Sequence, residues 1–122
     1  MVEDTYTCYA IKNNNNGLVY IGITYDVDKR IRAHLVSLKK NTHTNKKLQE
    51  DYNNEVLIFT YHILETNIQK KDKFNKEWFY IRKYKTHLKE FGYNFNDIRV
   101  RKLIRPKLDI RNGLDWPIIP TQ

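Results

Sequence analysis

Two short runs of β-forming residues, Thr5 to Lys12 and Leu18 to Thr24, flank the segment Asn13-Asn14-Asn15-Asn16-Gly17. The first run alternates along its length and is rich in Tyr, Thr and Ile, which reads as a strand. Asn and Gly tolerate the positive φ that a tight reversal needs, so the second run returns as the partner of a hairpin. This hairpin sets the rest of the fold. Asp26 or Asp28 is placed to cap a helix running to about Lys40, with Val27, Ile31, Leu35 and Leu38 at helical spacing as its buried stripe. A polar link, Asn41 to Thr44, leads to a second helix over about 45–53. Glu55 to Glu65 reads as a third strand, and Asn67 as the start of a polar turn. A long basic helix is expected over about 69–88, with Phe74, Trp78, Ile81 and either Tyr84 or Lys85 facing inward. Gly92 ends that pattern. The order strand, strand, helix, helix, strand, helix predicts an α+β fold, a three-stranded antiparallel sheet flanked by helices.

At 122 residues the chain fits one domain with one core. Residues 1–96 are read as that domain, and 97–122 as a basic tail that packs on it or contacts a polyanion. Trp116, Ile118 and Ile119 are expected to pack back onto the core, with a partner contact as the alternative. Apolar residues make up 40% and charged residues 30%, a globular balance. The longest apolar run, Val56 to Phe59, is far too short to cross a bilayer. No secretory leader is read at the N-terminus, and Cys8, the only cysteine, excludes an internal disulfide, so a cytoplasmic location is expected.

Net charge is +8, and it is one-sided. Residues 1–60 carry 8 basic and 7 acidic side chains, whereas residues 61–122 carry 14 and 7. That is the footprint of a polyanion binder, though a merely basic soluble surface has the same composition.

Five features carry candidate chemistry: Tyr9 and Tyr20 on the paired strands, Arg30 and His34 on one helix face, His43 in the following loop, Glu77 in the basic helix, and Gly92-Tyr93-Asn94. From Lys70 to Lys89 there are eight basic residues and two acidic ones, Asp72 and Glu77. A lone carboxylate beside an aromatic face suits a magnesium ion that keeps most of its waters. The plain alternatives are a salt bridge from Glu77 to Lys73 or a neighbouring basic residue, a solvated face for Arg30 and His34, and simple packing for the tyrosines.

The triplets Thr7-Cys8-Tyr9 and Tyr20-Ile21-Gly22 on adjacent strands resemble those of the GIY-YIG nuclease superfamily. Further segments fall into the same register. Lys29-Arg30-Ile31-Arg32-Ala33-His34 resembles the family's arginine helix. Asn41 to Gln49 is similar to the next segment of phage homing endonucleases. Glu77-Trp78-Phe79-Tyr80-Ile81 resembles the metal-binding glutamate segment, and Gly92-Tyr93-Asn94 the closing motif. The likeness runs from about residue 6 to 96. The first triplet departs from the pattern, keeping only its tyrosine, whose hydroxyl is expected to stay usable.

The resemblance implies a DNA endonuclease in which Glu77 holds one divalent ion, Mg²⁺ or Mn²⁺. Arg30 would grip the non-bridging phosphate oxygens. Tyr9 would position or deprotonate the attacking water, which requires nearby cations to lower its pKa. Tyr20 and His34 would hydrogen-bond around Tyr9 or the phosphate, and His43 would make a secondary phosphate or proton contact. Asn94 would brace the Glu77 helix, and Gly22 supports the same pocket. Lys29, Arg32, Lys46, Lys47, Arg99, Arg101, Lys102 and Arg105 are the expected contacts to double-stranded DNA.

No small-molecule cofactor and no membrane are expected, and the chain is read as a monomer or weak dimer that nicks one strand at a time. Thirteen Asn and fifteen Lys against seven Arg hint at an A+T-rich gene of a phage or mobile element, for homing or for attack on competing viral DNA. Restriction and repair stay open. The competing readings are a silent DNA-binding relative of the same fold and a basic scaffold.

Overall fold

The computed structural model describes residues 5–54 and 59–96. The start of the expected third strand (55–58) and the whole tail, with Arg99, Arg101, Lys102, Arg105, Trp116, Ile118 and Ile119, lie outside the described residues.

The elements are β1 (Thr5–Asn13), β2 (Val19–Thr24), α1 (Val27–Lys39), α2 (Lys46–Asn54), β3 (Phe59–Gln69) and α3 (Lys73–Tyr84), with short 3₁₀ turns before and after α3. The three strands form one antiparallel sheet in the order β2-β1-β3. Its hairpin turn closes as its chemistry demands. The Asn13 side chain accepts from the backbone N–H of Asn15 at 2.9 Å, and Gly17 takes φ 79°.

Alternation along β1 divides the core in two. On one face Cys8 and Ala10 meet Val19, Ile21, Ile68, Ile81 and Tyr84, so α3 covers this side. On the other face Tyr9 and Ile11 meet Leu38, Leu48, Tyr52 and Tyr93, beneath α1 and α2. Cys8, the departure from the family triplet, is therefore a small core residue, and Tyr9 next to it still faces α1. Complete burial of Ile81 alone contributes about 1.5–3 kcal/mol.

Three expectations are corrected. The third strand runs on to Gln69, because Asn67 adopts φ 59° and makes a bulge between the pairs Tyr6↔Ile68 and Cys8↔Glu65. The residue read as a turn is a kink inside a strand. The basic helix is accordingly shorter than 69–88, starting at Lys73 and stopping at Tyr84, where Lys85 turns left-handed with φ 59°. Phe74 does not face inward; it is 55% exposed, and Trp78, Ile81 and Tyr84 carry the contact with the sheet.

β2 is an edge strand, and its first half is closed by the chain after α3. The backbone of Val19 bonds with Phe91 and Tyr93, and the Asn94 side chain grips Ile21 from both sides, accepting from its N–H at 2.9 Å and donating to its carbonyl at 3.0 Å. The Asn94 N–H also donates to Thr86, just beyond α3. Among the described residues, nothing pairs with the outer side of the Gly22–Thr24 end of this edge.

Candidate active site

The open end of β2 is where the two helical layers meet, and the candidate residues gather there. α1 begins at Asp26, whose side chain accepts from the Lys29 N–H, and its helical pitch brings Arg30 and His34 to one side. They differ in depth. His34 is buried with Leu38, while Arg30 is exposed; Val27, Ile31 and Leu35 are only half-buried. The stripe that the sequence assigns to aliphatic residues is thus shared with a histidine.

Tyr9 pairs with Gly22 across the hairpin, and the close approach is specific to glycine. A Cβ at position 22 would overlap Cζ and Oη of Tyr9. The Tyr9 hydroxyl lies 2.7 Å from Nε2 of His34. His34 Nδ1 lies 2.7 Å from Nε2 of His43, with the rings stacked. His43 Nδ1 accepts from the backbone N–H of Asn45 at 3.0 Å.

That last bond fixes the direction of the whole chain, because a backbone N–H can only donate. His43 Nδ1 is therefore unprotonated, and neutral His43 carries its proton on Nε2 and donates to His34. His34 in turn carries its proton on Nε2 and donates to the Tyr9 oxygen. Both rings are held neutral. Burial, then Arg30 and His43, push His34 down to about 3, and burial with Arg30 also lowers His43.

Arg30 makes polar contact with both phenols, whose influence outweighs its own burial and holds its pKa above the ordinary value. Arg30 lowers the Tyr9 pKa as expected of a nearby cation, but burial outweighs it. Burial and the neighbouring Tyr20 phenol raise it, against the opposing pull of Arg30, so the resting phenol keeps its proton. Tyr20 packs beside it, with ring centroids 6.4 Å apart.

Glu77 is buried on α3, the helix that covers the opposite sheet face, yet its charge is felt at Tyr9 and at Cys8. α3 packs chiefly against β2, the strand that carries Gly22 and Tyr20. Among the described residues no three His, Cys, Asp or Glu side chains cluster as ligands. His34 and His43 are engaged with each other. Among the described residues the Glu77 carboxylate is the hard oxygen donor on offer, which fits a divalent ion that keeps its waters better than a tetrahedral zinc site.

Lys29 lines one cleft with Arg30, and Arg32 lines a second with Tyr9, Tyr61 and Ile63. Lys46 and Lys47 sit on α2, outside both clefts, and Lys47 is paired with Asp51 at 3.1 Å. The sequence reading missed Gln49. Its side chain accepts from the His43 N–H at 3.0 Å and donates to the Leu38 carbonyl at 2.9 Å, tying the histidine loop to α1. It also missed the tautomer-setting Asn45. Neither carries a sequence signal beyond lying within the 41–49 segment.

The neutral histidines make stability pH-dependent. Native pKa values below the unfolded 6.5 mean that the unfolded chain binds more protons as pH falls, so stability is full above 6.5 and is lost below it. For His34 the window runs from 6.5 down to about 3, at up to about 1.4 kcal/mol per pH unit. Thermal melts should fall steadily across that window, and His34→Gln should flatten the fall; a melting temperature independent of pH there would contradict a buried, neutral His34.

Residues 5–94 match the model of the GIY-YIG catalytic domain. Over 90 residues the chain is 36% identical to Intron-associated endonuclease 1 of Enterobacteria phage T4, an alignment spanning 73% of this chain and 36% of that protein. Two structures of the catalytic domain of homing endonuclease I-TevI superpose with TM-scores of 0.68 (a single-substitution mutant) and 0.66, at 33% and 32% identity. They cover 76% and 72% of this chain, and this chain covers 95% of each. GIY-YIG nucleases are in general dependent on divalent metal. No helix among the described residues is long and apolar enough to cross a membrane. Matched to the catalytic-domain model over residues 5–94 and sharing its three-stranded sheet with two solved catalytic domains, this chain belongs to the GIY-YIG nucleases.

Proposed function

We propose that this chain is the cutting module of a DNA endonuclease that hydrolyses one phosphodiester bond at a time, with Mg²⁺ or Mn²⁺ held at Glu77. The observation that carries this reading is the Tyr9 hydroxyl, met by His34 and Arg30 within the field of Glu77. A structural tyrosine does not need a relay of two histidines with fixed proton positions.

Each residue then has one task. The Tyr9 oxygen already accepts from His34, so its own O–H projects away from the relay and orients a water there. To act as base Tyr9 first releases its proton to solvent, the His34 N–H and the Arg30 guanidinium holding the phenolate, which then takes the proton of the attacking water and returns to the phenol. Arg30, exposed on its outer side, grips the non-bridging oxygens of the phosphate with its planar fork. Tyr20 fixes the Tyr9 ring. A divalent ion at Glu77 would supply Lewis acidity for the phosphate and the leaving oxygen. Asn94 holds β2 in register with the segment after α3, which keeps Tyr9 and Glu77 in one place.

The relatives are phage and intron endonucleases, which supports a role in a phage or mobile element, acting in the host cytoplasm on double-stranded DNA. The single Glu77 constellation supports nicking by a monomer or weak dimer, since one site breaks one strand. Supercoiled plasmid incubated with Mg²⁺ is expected to give open circles before linear molecules, read on an agarose gel; linear product appearing first would defeat the single-site reading.

A further inference from the structure

Beyond the catalytic residues, the open end of β2 continues into a cleft of about 480 Å³ whose walls come from both helical layers. Lys29 and Arg30 line it from α1 and Lys73 from α3, and Glu77 lies one helical turn along from Lys73 on the same side. Tyr6 and Tyr25 form its aromatic wall, their rings edge to face with centroids 6.1 Å apart. Tyr25 is 68% exposed, so it forgoes most of the burial that a tyrosine ring obtains in a core. The Lys73 ammonium sits 4.6 Å from the Tyr6 ring centre and 3.3 Å from its hydroxyl. Among the described residues lining the cleft the one carboxylate is Asp26, which is engaged in capping α1. Three cations around an open aromatic face complement a nucleotide, whose base is a flat π-surface and whose flanks are anionic.

We propose that this cleft is a stacking site for one unpaired nucleobase of the strand being cut, with Tyr25 against the base and Lys73 and Lys29 on the flanking phosphates. The proposal rests on the nuclease reading, because Arg30 belongs to both the cleft and the catalytic pocket. Its consequence is a substrate preference. DNA with a base already out of the stack avoids the cost of unstacking and binds more tightly than a perfect duplex.

The test is binding of the full chain, in excess chelator, to a duplex carrying one unpaired 2-aminopurine and to its fully paired counterpart. Tyr25→Ala should weaken binding to the unpaired probe by about 5- to 100-fold and to the paired duplex by less than about 2-fold. Tyr25→Phe should restore both. Lys73→Met should weaken both probes alike and lower the salt slope by about 0.9. Equal loss on both probes with Tyr25→Ala, or no loss on either, overturns the stacking site. So does a change in the self-association of the protein alone, which would make the cleft an interface between copies. Plasmid nicking by the unaltered protein is measured alongside. Nicking with probe-independent Tyr25→Ala binding sinks only this proposal, and selective stacking without nicking sinks only the nuclease reading.

Discussion

Gly22→Ala is expected to reduce DNA cleavage by about two orders of magnitude while leaving DNA binding within a few-fold of the unaltered protein. The single added methyl would occupy the space of Cζ and Oη of Tyr9. The ring cannot simply swing aside. It is 1% exposed, its oxygen is bound to His34, and Tyr20 and His34 pack within 5.7–6.4 Å of its centre. Overpacking of this kind costs roughly 1–3 kcal/mol of stability. The activity loss is larger because a reacting group displaced by about 1 Å forfeits on the order of a hundredfold in rate. Lys29 and Arg30 stay on the surface of α1, so affinity is spared. Single-turnover cleavage, a melting curve and a binding titration on the same preparation check all three. A variant that cuts at full rate would show that the Tyr9 position has no bearing on catalysis.

How far the sequence alone reaches can be seen element by element. The hairpin was legible because its signal is local: Asn13 and Gly17 make the turn with their own side chain and φ. The order of elements and the sheet followed. The two ends of α3 were not legible, for one physical reason at each end. Asn67 in the left-handed region looks the same in a turn and in a strand bulge, and only the pairing with Tyr6 and Cys8 decides which it is. At the other end a lysine, Lys85, takes the left-handed conformation that the sequence pattern awaits from glycine.

The site was partly legible. Tyr9, Tyr20, Arg30 and His34 come together, with Glu77 near enough for its charge to reach Tyr9. The direction of the proton relay was invisible, since it depends on the backbone N–H of Asn45 reaching His43. The rise of the Tyr9 pKa was missed because burial, which outweighs Arg30 there, is a tertiary property. Tyr6, Tyr25 and Lys73 meet only because α1 and α3 converge on the end of β2, and no spacing in the chain announces that.

The largest effect is expected at Glu77. Glutamine keeps the volume and the hydrogen-bonding capacity of the side chain but removes the charge, so α3 stays packed through Ile81 and Tyr84 while the hold on a divalent ion is lost. Loss of several kcal/mol of charge stabilisation corresponds to about three orders of magnitude or more in rate. Affinity for DNA should be unchanged or slightly stronger, because a negative charge beside the phosphate is gone while Lys29, Arg30 and Lys73 stay. The most direct measurement is therefore a supercoiled plasmid in Mg²⁺, treated in parallel with the unaltered protein and with Glu77→Gln, each checked for DNA binding. The unaltered protein should convert the plasmid to open circles and stop when chelator is added, and the variant should bind without cutting. Cleavage by Glu77→Gln at an undiminished rate, or cleavage that persists in chelator, would contradict the account.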